Sequence, residues 1–114
     1  AFAAVVPRDP EALRALVLRP HGLRLDNRSI TLHLYNEALL PCEVAPLMEA
    51  LVGELALKWN RPLRLFLGRN PIGPHGVKSL REAVPRLPPL QKLELVECGL
   101  GAGGALELAE LLAT

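Results

Sequence analysis

Residues 63–84 read LRLFLGRNPIGPHGVKSLREAV, and residues 91–112 read QKLELVECGLGAGGALELAELL. Laid over one another, they are two copies of one unit. Leu65, Leu67, Asn70, Ile72, Gly76, Leu80 and Val84 return as Leu93, Leu95, Cys98, Leu100, Gly104, Leu108 and Leu112, each 28 positions later. Seven matches at one offset are hard to obtain by chance. A period between twenty and thirty with the pattern L-x-L-x-x-N/C-x-L marks a unit in which a short strand and a helix stack on their neighbours.

The spacing has a mechanical reading. Leu93 and Leu95 are two apart, so on an extended strand both point to one face, between a strand layer and a helix layer. Asn70 and Cys98 fall where the chain leaves the strand direction, and an amide or thiol there can bond backbone groups that the bend leaves unpaired. Ile72 and Leu100 return an apolar group to the core. Gly76 and Gly104 are then expected to open helices with apolar positions Val77, Leu80 and Val84 in one copy and Ala105, Leu108, Ala109 and Leu112 in the other. Lys78, Arg81, Glu82, Glu107 and Glu110 are left for the outer face.

At these residues the chain resembles the ribonuclease-inhibitor type of leucine-rich repeat, with an N-x-L copy followed by a C-x-L copy and a long helix in each. The resemblance covers residues 62–114. It implies an α/β fold, a right-handed solenoid of βα repeats with parallel strands, about three repeats after an irregular N-terminal part. Its relatives include nucleotide-binding innate sensors, GTPase activators of nuclear transport, actin pointed-end caps and intracellular scaffolds. The implied function is non-enzymatic protein binding through the concave strand face.

The expected units are 30–61, 62–89 and 90–114. In the first, Leu32, Leu34 and Leu39 take the places of Leu65, Leu67 and Ile72. Glu37 stands where Asn is expected and Glu43 where Gly is expected, which weakens this copy because a carboxylate cannot donate to the bend's carbonyls. A strong helix follows from near Glu43, with Val44, Leu47, Met48, Leu51 and Leu55 on one face, and Pro46 tolerable only in its first turn. Leu32 to Leu65 is 33 positions rather than 28, so five extra residues lie in 55–62 around Trp59. Pro85, Pro88 and Pro89 end the second helix.

Residues 1–29 are read as an irregular cap, a degenerate repeat or a hairpin arm. One reading caps a helix Glu11 to Leu18 with Asp9 and turns Leu23-Arg24-Leu25 into Ile30 to Tyr35 through Asp26 to Ser29. A competing one fits Leu13, Leu16, Leu18, His21 and Leu23 to the repeat. Residues 23–58 alone also resemble the opening of a β-grasp-like α+β domain. The start at Ala1 and the stop in mid-repeat read as a fragment of a longer protein.

With 114 residues the chain makes one domain, and its net charge of +1 argues against a dedicated nucleic-acid or membrane-surface binder. No apolar run reaches the roughly twenty residues of a membrane span. Two cysteines are too few for a disulfide framework, which points to an intracellular setting, cytoplasmic or nuclear. No cofactor is expected. His21, His33 and His75 lack metal-ligand spacing, and the glycines 99, 101, 103 and 104 lack the ending of a phosphate loop. Cys98 is read as structural, and Cys42 as an inert buried thiol rather than a reactive one.

The expected partner-binding residues are the outward strand positions. Thr31, Arg64 and Lys92 form one row, His33, Phe66 and Glu94 the next, then Tyr35, Gly68 and Val96, with Asn36, Arg69 and Glu97 beyond. His33, Tyr35, Arg64, Phe66, Arg69, Lys92 and Glu94 have the aromatic and charged character of interface anchors. Trp59 joins them from the insertion, although a tryptophan after a helix more often folds over its apolar end. The expected partner is a protein. The alternative is a purely structural spacer or cap, packed on the rest of a parent chain or self-associating across the uncapped C-terminal repeat.

Overall fold

The computed structural model describes residues 6–19, 22–25, 28–55 and 61–112. Along it run α1 (Pro10–Leu18), β1 (Leu23–Leu25), β2 (Ile30–His33), α2 (Val44–Glu54), β3 (Leu63–Phe66), α3 (Gly73–Ala83), β4 (Leu90–Glu94) and α4 (Gly101–Leu112). The fold is α/β. One sheet has the order β1-β2-β3-β4; β1 is antiparallel to β2, and β2, β3 and β4 are parallel. Helices cover one side of it, each packed on the next, α1 on α2, α2 on α3 and α3 on α4.

The leucine register survives in three dimensions. Leu32 is paired with Leu65, and Leu65 with Leu93. Ile30, Leu32, Leu34, Leu63, Leu65 and Leu67 all point into the layer between sheet and helices, where each is at most 1% exposed. Val44, Leu47, Met48, Leu51 and Leu55 close that layer from α2, as their spacing predicts. The alignment slips once. Leu63 pairs with Leu90 but Arg64 with Lys92, so Gln91 is an extra residue at the start of β4, just after Pro88 and Pro89.

The bends repeat as well. Asn36, Arg69 and Glu97 have φ of 54°, 56° and 54°, the left-handed region, at the same place after each parallel strand. Asn70 is fully buried behind one of these bends. Its Nδ2 donates to the carbonyls of Leu34 (2.6 Å), Leu67 (2.8 Å) and Gly68 (3.2 Å), and its Oδ1 accepts from the amides of Glu37 (2.8 Å) and Leu39 (3.1 Å). One side chain therefore ties the bend of the preceding unit to its own. Cys98 does the corresponding thing with fewer bonds, its thiol donating to the Leu67 carbonyl at 3.3 Å. Burial pushes that thiol's pKa up, keeping the proton it donates.

The first unit departs from this scheme where the sequence does, and for a structural reason. Asn70 and Cys98 reach back to the end of a preceding parallel strand. Behind Glu37 lies β1, which runs the other way and brings the start of a strand rather than the end of one beside this bend. Glu37 instead meets Arg19 in an ion pair. At Glu43, the N-terminal segment supplies the partner. Arg8 donates to the Glu43 carboxylate from its backbone N (2.9 Å), Nε (2.7 Å) and Nη2 (3.0 Å), and the Leu40 amide adds a fourth bond at 2.7 Å. The guanidinium of Arg8 holds this buried carboxyl down at about 2.

Several expectations need correction. Residues 10–18 form a helix capped by Asp9, whose Oδ1 accepts from Ala12 N at 2.8 Å. The competing repeat reading therefore fails, because Leu13, Leu16 and Leu18 lie on a helix; the hairpin into β2 is the one that forms. Helices α3 and α4 begin at Gly73 and Gly101, not at Gly76 and Gly104. Gly76 and Gly104 sit inside them, where a Cβ would press on Ile72 and Leu100. In α4, Ala105 and Ala109 are exposed and Leu111 is buried. Cys42 is exposed rather than buried, because it sits in a 3-10 turn, Pro41–Glu43, that turns Glu43 inward.

Candidate functional site

Alternation along the parallel strands sends every second residue away from the helices. The register then builds rows across the open face. Arg24 lies opposite Thr31, Thr31 opposite Arg64, and Arg64 opposite Lys92. The next row is His33, Phe66 and Glu94. Backbone bonds carry the alignment beyond the strands, from Asn36 N to Gly68 O (2.9 Å) and from Arg69 N to Val96 O (2.7 Å). Tyr35 and Val96 stand there as exposed apolar groups.

Phe66 is the hub of this face. The His33 ring stacks on it with centroids 4.7 Å apart and planes 15° from parallel. Arg64 and Lys92 lie 5.6 Å and 5.4 Å from its ring centre. Arg69 lies 5.5 Å from the ring of Tyr35 and pairs with Glu97 at 3.2 Å. Glu94 folds over Gly68, where any side chain would clash with its carboxylate, and accepts from Val96 N at 3.0 Å. The negative ring faces hold the arginine and lysine cations beside them, so the partly exposed aromatic pair offers a flat apolar surface and the cations around it offer charge to an anionic group.

Seven of the expected residues, His33, Tyr35, Arg64, Phe66, Arg69, Lys92 and Glu94, therefore share one face. Trp59 and the rest of the insertion, 56–60, lie outside the described residues. Sequence reasoning missed Arg24, which joins the first row from β1. The signal was present: the hairpin turning into Ile30 fixes which residue of its first arm faces Thr31.

The remaining polar groups lie elsewhere. Among the described residues no three His, Cys, Asp or Glu side chains gather as a metal site. His75 is on the exposed part of α3, and its carbonyl accepts from Ser79. Gly103 rests on Pro74 and Gly104 on Leu100, so these glycines serve helix packing. No described helix is long and apolar enough to cross a membrane.

A second surface feature is apolar. Leu93, Leu95, Leu100 and Leu108 are only partly buried and line a recess between β4 and α4. Their counterparts Leu65, Leu67, Ile72 and Leu80 are at most 1% exposed. Compared with family models, with curated protein sequences and with solved structures, the chain finds no match.

Proposed function

We propose that this chain is a leucine-rich-repeat segment of the ribonuclease-inhibitor type, three βα turns of a solenoid, and that it serves as a protein-interaction module of an intracellular scaffold, adaptor or receptor. It is not an enzyme in this reading, and it binds a protein partner through the strand face. The observation that carries the proposal is the Phe66 cluster: a His33–Phe66 stack framed by Arg64 and Lys92, with Tyr35 and Arg69 beside it, on the side of the sheet away from the described helices. Aromatic and arginine side chains of this kind dominate interface energetics. An intracellular setting suits the free thiols of Cys42 and Cys98.

The test places a photo-crosslinking amino acid at Tyr35 or Val96, and separately at Ala45 or Lys78 on the helix side, in the full chain in cell extract. Strand-side positions should give discrete protein adducts that Phe66→Ala with Arg64→Ala reduces about tenfold, the scale of one hot-spot residue. Identical adducts from both sides, or adducts indifferent to Phe66 and Arg64, would remove the reading.

A second reading, a structural spacer, is favoured by the recess at Leu93, Leu95, Leu100 and Leu108. There the occupant is the rest of a parent chain or a second copy. Under it, strand-face substitutions leave a parent protein's activity intact, while Leu93→Asp abolishes its folding.

A further inference from the structure

We infer that the segment gripped by the strand face is acidic, its carboxylates lying along the row Arg24, Thr31, Arg64, Lys92. This rests on the reading of that face as a protein-binding surface. The row crosses all four strands, and at about 4.8 Å per strand it is about 14 Å long. Arg64 and Lys92 are direct cross-strand partners of the same sign, an arrangement that destabilises a sheet unless an anion answers it.

The pattern of pairing elsewhere sharpens the point. Arg8, Arg14, Arg19, Arg69, Arg81 and Arg86 each hold a carboxylate. Among the described residues Arg24, Arg64 and Lys92 hold none, and the latter two lean on the Phe66 ring instead. The acids on the rows beyond are engaged, Glu94 with the Val96 amide and Glu97 with Arg69. Among the described residues the face thus keeps three cations without a carboxylate while its own two acids are occupied.

An extended acidic peptide fits this better than a nucleic acid. Carboxylates on one edge of the peptide meet the cationic row, and uncharged side chains on the other edge meet Phe66, Tyr35 and Val96. A polyphosphate strand would also bring charge against Glu94 and Glu97 on the following rows.

The probe is a fluorescent peptide of alternating Glu and Leu, about ten residues long, with an alternating Lys and Leu twin and a single-stranded oligonucleotide of equal negative charge. Anisotropy titrations use the full chain at low and at physiological ionic strength. The acidic peptide should bind, weaken as salt is raised, and lose about tenfold or more in affinity in the triple variant Arg24→Gln, Arg64→Gln, Lys92→Gln. A helix-side control, Arg14→Gln with Lys78→Gln, should not change it. Circular dichroism checks that both variants fold. The inference is overturned if the acidic peptide does not bind, if the triple variant binds it as well as the parent does, or if the oligonucleotide binds more tightly. Should any of these occur while strand-side crosslinking still depends on Phe66, the protein-binding reading stands and the acidic preference alone is lost.

Discussion

Asn70 satisfies three carbonyls and two amides from a position with no access to water. Removing it leaves Leu34 O and the amides of Glu37 and Leu39 without their partner, while Gly68 O keeps Asn36 N and Leu67 O keeps the Cys98 thiol, and a buried unpaired polar group costs more than the bond itself was worth. Asn70→Ala should lower stability by about 3 kcal/mol in urea unfolding, and Asn70→Asp by a similar amount, since a carboxylate cannot donate to the carbonyls of Leu34 and Leu67. A loss below about 1 kcal/mol would mean that water replaces the amide. The sequence marked Asn70 and Cys98 as bend residues, because donors at a shared offset from paired leucines have few other roles. It did not mark Asn36, Arg69 and Glu97 as left-handed, since none is a glycine; the amides of Asn36 and Arg69 are held there by the carbonyls of Gly68 and Val96. Nor did it explain Glu37, whose exemption depends on the direction of the strand behind it.

Among the elements, the described residues just ahead of α1 are tied to the fold through Arg8 and the buried Glu43. The folded-state carboxyl lies at about 2 against an ordinary 4.5. A depressed pKa contributes stability that is complete above the ordinary value and is lost as pH falls through the folded one. Unfolding free energies from denaturant titrations between about pH 5 and about pH 2 should therefore fall for the parent by up to ~3 kcal/mol more than for Glu43→Gln. Parallel curves for the two proteins would show that Glu43 is not the group responsible. Helix boundaries were the least legible elements. Spacing named the helix between Gly76 and Val84 and the one after Gly104, but each begins three residues sooner, at Gly73 and Gly101. The phase of α4 matches that of α3, with Gly104 and Leu111 buried where Gly76 and Ala83 are, and the counterpart of Val77, Ala105, is exposed because α4 has no further described helix on that side.

Over the whole molecule, burial falls off toward one end. Leu65 lies between two strands and is 0% exposed, whereas Leu93 lies on the last strand and is only partly buried. Leu65→Ala should cost about 3–5 kcal/mol and Leu93→Ala about half of that, read from chemical denaturation. Equal losses would indicate that β4 is covered in solution, by a second copy or by other means. The face proposed for binding was largely legible, since alternation and a fixed offset suffice to line up Arg64 with Lys92 and Phe66 with Glu94. Arg24 escaped because its place follows from the register of the hairpin and not from the 28-residue repeat. The Asn70 clasp also sets an order of assembly. A nascent chain that has emerged only through residue 69 holds β2 and its bend complete in sequence, yet Leu34 O, Glu37 N and Leu39 N stay with water, and the bend cannot be buried, until Asn70 follows.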